Sequence, residues 1–198
     1  MSAARRYAIS GRDHTGKSTI CHAVTARLRS QDVDADMVDE QSRRSVALAE
    51  GQRGVSTQMD LFARTVVVEL EVARSSSVVV CDRSLVDILA YTDLLPPDSH
   101  PSDPSDPAMR RAMDAFADHY LATYAAIFLP AWTLETEEED PLRAPVRHLQ
   151  DDLASHIERR LAPYADLVVR LESQATAVDA VVAHILADLG DQGDQGGL

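Results

Sequence analysis

Short apolar runs alternate with longer amphipathic segments along most of this chain. Five runs are rich in β-branched and other apolar residues and are predicted as strands: 7–10, 35–38, 77–81, 124–130 and 166–171. The segments between them place apolar residues at helical spacing and are predicted as helices: 16–30, 41–50, 57–73, 84–94, 107–120, 147–162 and 175–189. This alternation predicts a three-layer α/β domain, in which helices joined by right-handed crossovers flank a five-stranded parallel sheet.

The most apolar run and the helical stripes predict where the core lies. Residues 77–81 are almost wholly apolar, which favours a central strand covered on both faces. Three helices each carry one apolar stripe that we expect to face the core: Met59, Phe62, Val66 and Leu70; Met109, Met113, Phe116 and Tyr120; Leu149, Leu153, Ile157 and Leu161. Cys21 and Cys81 lie far apart without metal-ligand spacing, so they are predicted as small buried apolar residues.

A glycine-containing loop at 11–19 follows the first strand and fits the pattern G-x-x-x-x-G-K-[ST]. Its two glycines allow successive N–H groups to turn towards a polyphosphate, and the helix that follows adds its own free N–H groups and positive dipole end. Lys17 can reach the β- and γ-phosphates, and the Ser18 hydroxyl is placed to bind Mg²⁺. We therefore predict that ATP or another nucleoside triphosphate binds with Mg²⁺ at Gly11, Asp13, His14, Thr15, Gly16, Lys17, Ser18 and Thr19.

Charged side chains follow the second and third predicted strands. Asp39 and Glu40 end the second strand, and Asp82 and Arg83 end the third. Ligands of open α/β sheets bind beyond the carboxyl ends of the strands, so all four side chains are placed for chemistry. Asp82 is expected as a Mg²⁺ partner or proton acceptor, and Arg83 can bridge donor and acceptor phosphates. The alternatives are an acidic strand end or helix cap for the first pair and a structural ion pair for the second.

Two stretches carry a resemblance to a known group of kinases. The loop at 11–19, with Asp as its third residue, and the run at 82–91 resemble the thymidylate kinase superfamily, whose later signature is D-R-Y-x-x-S-x-x-A-Y. Ser84 replaces the tyrosine of that signature, Asp87 replaces its serine, and the R-E-P-G turn after the second strand is missing. The Asp-Arg-Ser run is similar to the corresponding run of deoxynucleoside kinases. Glu40 falls where those enzymes have their general-base carboxylate. The spacing D-R-x-x-x-D-x-x-A-Y also resembles ribosylnicotinamide kinase-like proteins.

The resemblance implies a P-loop NTPase fold and a phosphotransferase that moves the γ-phosphoryl group of ATP, with Mg²⁺, to a nucleoside or a nucleoside monophosphate. The residues that it implies in catalysis are Lys17, Glu40, Asp82, Arg83, Arg143 and Arg147, and Ser18 and Asp82 would hold the metal. The implied acceptor-binding residues are Asp13, Glu40, Arg43, Arg44 and Arg83. Glu40 would serve a nucleoside acceptor, whereas Arg43 and Arg44 would bind the phosphate of a monophosphate.

Two alternatives stay open at this point. Arg143 and Arg147 match a phosphate-binding lid at about 133–147 in chain position and spacing, but they equally fit a pair that neutralises the preceding acidic run. The missing R-E-P-G turn leaves room for a regulatory or nucleotide-sensing P-loop NTPase that has no small-molecule acceptor.

Composition narrows the class of partner. The net charge of −13 argues against electrostatic binding to nucleic acid. No uncharged stretch of about 18 residues could span a bilayer and no leader is visible, so we expect a cytoplasmic protein. The pattern predicts a single domain over 1–189, a mobile Pro-, Ser- and Asp-rich loop at 96–107 and a disordered tail at 190–198. The resemblance would favour a homodimer through long helices such as 57–73.

Overall fold

The computed structural model describes residues 4–95, 106–134 and 148–193. Its strands are β1 (Arg5–Ile9), β2 (Ala35–Val38), β3 (Val78–Asp82), β4 (Tyr124–Pro130) and β5 (Val168–Leu171). Its helices are α1 (Lys17–Arg29), α2 (Val46–Ala49), α3 (Val55–Val72), α4 (Leu85–Leu94), α5 (Asp106–Tyr120), α6 (Gln150–Leu161) and α7 (Ala177–Gly193).

The five strands form one parallel sheet in the order β2-β3-β1-β4-β5. The predicted five-stranded parallel α/β fold is therefore confirmed. The end of β1 is level with the end of β3, because Ile9 pairs with Asp82. Side chains that follow these two central strands consequently meet at one edge of the sheet.

Two apolar clusters cover the two faces of the sheet. Alternate residues of β1 point to opposite faces, so that Tyr7 and Ile9 pack in one cluster and Ala8 in the other. The first cluster also contains residues of α1 and α7, and the second contains residues of α3, α4, α5 and α6. Cys21 and Cys81 are both fully buried, as predicted. Within the described ranges, no helix is both long and apolar enough to cross a bilayer.

The prediction that Leu70 and Phe116 lie in the core is wrong, because each residue is 44% exposed. The buried face of α3 is instead turned towards Thr65 and Glu69, because Glu69 accepts hydrogen bonds from a tyrosine at the end of α5 and from a tyrosine at the start of β4. Phe116 packs edge-on against Phe62, with ring centroids 5.7 Å apart, and leaves its outer side in solvent.

Several element boundaries also differ from the prediction. The helix expected at 41–50 is a 3₁₀ turn, Gln41–Arg44, followed by the single-turn helix α2. The last predicted strand begins two residues late, at Val168, because a 3₁₀ segment precedes it. Helix α7 continues to Gly193, so the first residues of the predicted tail are helical. Likewise α5 begins at Asp106, within the predicted mobile loop, and the remainder of that loop lies outside the described residues.

A buried polar cluster joins α3 to the amino ends of β1 and β4. The Tyr124 hydroxyl donates to Glu69 Oε1 at 2.7 Å and the Tyr120 hydroxyl donates to Glu69 Oε2 at 3.0 Å. Arg6 lies 3.7 Å from the same carboxylate and hydrogen-bonds to Tyr120 and Thr123. Burial of Glu69, which is 0% exposed, outweighs these partners and raises its pKa from 4.5 to about 7.

This raised pKa predicts a pH-dependent part of the stability. Below the ordinary pKa of 4.5, Glu69 is protonated in both the folded and the unfolded chain, and its contribution to the free energy of unfolding is fully present. As the pH rises towards 7, the unfolded chain releases the proton first, so the free energy of unfolding falls by roughly 3 kcal/mol in total. We expect the free energy of unfolding of the Glu69→Gln variant not to fall in this way as the pH rises. Denaturant unfolding of both proteins between about pH 5 and pH 8 measures it, and parallel stability curves would contradict the assignment.

Candidate functional site

The loop between β1 and α1, which we call the phosphate loop (residues 11–19), has the backbone that an anion cradle needs. Gly11, His14 and Gly16 have positive φ angles of 127°, 57° and 79°. Gly16 is the N-cap of α1, so the first free N–H groups of that helix face the loop. Left-handed residues of this kind turn consecutive N–H groups to one side and, with the helix dipole, favour a bound phosphate.

Lys17 lies inside this cradle and is the chain's single lysine among its 19 cationic side chains. It is 5% exposed, and its Nζ donates to the Arg12 carbonyl at 2.5 Å and to Thr15 Oγ1 at 3.4 Å. Burial, and then the nearby Arg83, lower the pKa of Lys17 to about 7. A phosphate in the loop would favour the charged amine and raise this pKa again.

Ser18 and Asp82 lie next to each other where α1 begins and β3 ends. Burial raises the pKa of Asp82, and the neighbouring Ser18 side chain opposes this rise. Asp82 is 6% exposed, and its Oδ1 has no hydrogen-bond partner among the described residues. A hydroxyl and a buried carboxylate oxygen without a partner suit Mg²⁺, which commonly takes one or two protein oxygens together with phosphate oxygens and water. No cluster of three acidic, His or Cys side chains competes as a metal site within the described ranges.

Arg83 is the centre of the charged part of the site. Its φ angle is +80°, and its guanidinium contacts three carboxylates: Asp13 at 2.5 Å, Glu40 at 2.9 Å and Asp87 at 3.3 Å. Burial alone would lower the pKa of Arg83, but Glu40 and Asp87 raise it above its usual value. The arginine is therefore fixed in place with its charge already balanced by protein carboxylates.

Asp13 connects the phosphate loop to α4 and α6. It is 2% exposed, and its Oδ2 accepts hydrogen bonds from the Tyr91 hydroxyl and from Gln150 Nε2, both at 3.0 Å. Gln150 Oε1 in turn accepts from the Asp13 N–H at 2.8 Å. Sequence reasoning missed Gln150, since nothing in a local pattern links two residues that lie so far apart in the chain.

Asp87 fastens α4 to the same loop. Its Oδ2 accepts from the Ser84 N–H and its Oδ1 from the Gly11 N–H, both at 3.0 Å. Ser84 and Asp87 form a capping box at the start of α4. The two positions that depart from the thymidylate kinase signature thus have a shared structural role here. An S-x-x-D capping pattern before an apolar helix was the signal that could have revealed it.

Glu40 faces this site, whereas the two following arginines do not enter it. Glu40 is 6% exposed and accepts from Ser42 Oγ at 2.5 Å and from Arg43 at 3.3 Å. Burial would raise its pKa, but Arg83 and the Ser42 hydrogen bond keep the pKa of Glu40 below its usual value. Arg44 pairs with Asp39 at 2.5 Å. Neither Arg43 nor Arg44 lines the pocket next to the site.

That pocket lies between β2, α3, α4 and the start of α6, and it shares Asp82 and Arg83 with the edge of the phosphate loop. Its apolar wall is formed by Val38, Leu48, Leu61, Ile88, Leu94 and Leu149. Its polar side includes Glu40, Arg53, Gln58, Arg83, Asp87 and Tyr91. Gln58 is 7% exposed, and its side-chain amide makes no hydrogen bond with another residue in the described parts of the chain.

The predicted residues of the donor side therefore come together, and those of the acceptor side do so in part. Asp13, Glu40, Asp82 and Arg83 meet at one edge of the sheet. Arg143 and Arg147 lie outside the described residues, so their place in a lid stays a prediction.

A phosphate loop between the first strand and helix of a parallel sheet, with a carboxylate at the end of a neighbouring central strand, defines the class of P-loop NTPases. The family described as AAA domain matches residues 6–178, and the chain belongs to it. The predicted membership of the P-loop superfamily is thereby confirmed.

One solved structure extends this result to the fold. The NadR protein in complex with NR matches over 90% of this chain and 50% of that chain, with a TM-score of 0.56 and 20% sequence identity. The present chain thus spans about half the length of that protein, and the likeness concerns the fold alone. The search of curated proteins finds no match.

Proposed function

We propose that this protein is a kinase that uses a nucleoside triphosphate, most simply ATP, and Mg²⁺ to phosphorylate a hydroxyl group of a small acceptor. The observation that carries this proposal is the shared edge between the phosphate loop and the pocket. Asp82 lies next to Ser18 on the donor side, and Arg83 contacts Asp13, while both Asp82 and Arg83 line the pocket. An apolar pocket at this position offers a place for an acceptor, which simple hydrolysis by water does not require.

The residues present can perform phosphoryl transfer by positioning and charge. The amine of Lys17 and the loop N–H groups bind the β- and γ-phosphates, and Arg83 lies on the acceptor side of the transferring group. Ser18 and Asp82 would hold Mg²⁺, which supplies charge neutralisation at the phosphates when it is bound. Glu40, kept ionised by Arg83, accepts a hydrogen bond from the acceptor hydroxyl and orients it.

The charge of the pocket favours an acceptor without a phosphate. Among the described residues that line it, four are acidic (Asp39, Glu40, Asp82 and Asp87) and two are arginines (Arg53 and Arg83). Arg83 already contacts three carboxylates, and Arg43 and Arg44, which do not line the pocket, pair with Glu40 and Asp39. A monophosphate would therefore meet more acidic than basic side chains and an arginine already bound to carboxylates, whereas a neutral nucleoside or a cationic ribosylated base avoids this repulsion.

A screen of acceptors tests this function. Purified protein with Mg-ATP is given nucleosides, nucleoside monophosphates and ribosylated vitamins in turn, and ADP formation is measured. We expect at least one uncharged or cationic nucleoside to stimulate ADP formation and the matching monophosphate to fail. ATP consumption that is independent of every acceptor would instead support the regulatory NTPase.

Gln58 is expected to determine how tightly the acceptor binds. A buried amide that faces a pocket can donate and accept at once, which suits a base edge or a carboxamide. Gln58→Leu should lower kcat/KM for the acceptor about 10-fold or more while KM for ATP stays the same. The matched control is Gln52→Leu, because Gln52 is exposed and outside the pocket. Equal losses of kcat/KM in both variants, or a change confined to the KM for ATP, would show that Gln58 does not bind the acceptor.

A further inference from the structure

Residues 130–134, which we call the brace, run beside the phosphate loop. The Ala131 N–H donates to the Leu171 carbonyl at 2.9 Å and so attaches the brace to the end of β5. The Trp132 indole N–H donates to the Thr15 carbonyl at 3.1 Å, and the Leu134 N–H donates to the His14 carbonyl at 2.6 Å. The brace therefore contacts two consecutive peptide groups of the loop through their carbonyl oxygens.

These two contacts set the direction of the next two N–H groups. A trans peptide unit is planar and its C=O and N–H point in opposite directions. With the His14 and Thr15 carbonyls turned towards the brace, the N–H groups of Thr15 and Gly16 point away from it, where a phosphate bound in the loop could accept from them. Neither of these N–H groups donates to another residue within the described ranges. Rotation of either peptide would place a carbonyl oxygen, in place of a donor, against a bound phosphate.

We propose that Trp132 is a positioning residue of the nucleotide site, whose indole N–H holds the peptide between Thr15 and Gly16 in its phosphate-binding orientation. Tryptophan suits this role, because its ring nitrogen only donates and its ring packs against the apolar cluster that contains α1. This inference rests on triphosphate binding by the loop and is independent of the identity of the acceptor.

Binding of Mg-ADP to the whole protein tests the inference without any acceptor. Trp132→Phe keeps the packing of the ring and removes the donor, so calorimetry should show about 3- to 10-fold weaker binding, with little change in the thermal unfolding temperature. The matched control is Tyr164→Phe, which removes an aromatic donor to the Asp118 carbonyl, a 2.9 Å contact away from the loop. Tyr164→Phe should bind Mg-ADP like the wild type.

A spectroscopic measurement on the wild type gives a second test that needs no variant to fold. Trp132 is the chain's single tryptophan, so its emission should change as Mg-ADP occupies the loop beneath it. Unchanged Mg-ADP affinity in Trp132→Phe, or a flat emission titration while calorimetry shows binding, would overturn the role of the brace alone. Failure of the wild type to bind Mg-ADP would overturn the nucleotide site and this inference with it.

Discussion

Lys17→Ala is expected to lower phosphoryl transfer by roughly 10³-fold. Its amine is the buried cation of the phosphate loop, and it holds the position where charge builds on the transferring phosphoryl group. The fold should remain, because the contacts of the amine are to the loop itself, at the Arg12 carbonyl and Thr15 Oγ1.

Steady-state rates with Mg-ATP and a nucleoside acceptor measure this effect, with circular dichroism as a check on the fold. Arg12→Ala is the matched control, because Arg12 lies in the same loop but points to the exposed Asp151. The control should keep most of its activity. Full activity in Lys17→Ala would contradict the assignment of the phosphate loop as the donor site.

Arg83→Met should lose activity and also destabilise the fold by about 3–5 kcal/mol. The substitution removes the guanidinium that contacts Asp13, Glu40 and Asp87 and leaves these three carboxylates buried close to one another. Methionine keeps much of the side-chain volume, so the lost stability reports the charge rather than a cavity.

Denaturant unfolding at neutral pH measures this loss, with Arg64→Met as the control. Arg64 is an exposed arginine that pairs with Asp60 on the same helix, and its removal should change stability by less than about 0.5 kcal/mol. An Arg83→Met variant as stable as the wild type would show that burial of the three carboxylates does not depend on Arg83.

The sheet, the phosphate loop and the meeting of Asp82 with Ser18 could be predicted because each follows from local pattern and parallel topology. Apolar runs set the strands, and parallel strands deliver the residues that follow them to one edge. The glycine spacing at 11–19 then identified the edge of the sheet at which the functional residues lie. These features depend on neighbours in sequence or on one simple rule of packing.

The features that sequence reasoning missed depend on contacts between distant residues. Gln150 reaches Asp13 across 137 positions, and Trp132 reaches Thr15 across 117. Leu70 was assigned to the core by its spacing, but the buried carboxylate of Glu69 turns α3 towards a tyrosine of α5 and a tyrosine of β4. No periodicity encodes that a charged residue will take the buried position of a helix.

The proposed reaction transfers a phosphoryl group to an acceptor that carries no phosphate. The most direct measurement is a competition in one tube between a nucleoside that the screen identifies and its own 5′-monophosphate, with γ-labelled ATP and Mg²⁺. We predict that the label appears in the nucleoside monophosphate. Label in the diphosphate, or only in inorganic phosphate at a rate that neither acceptor changes, would contradict the account.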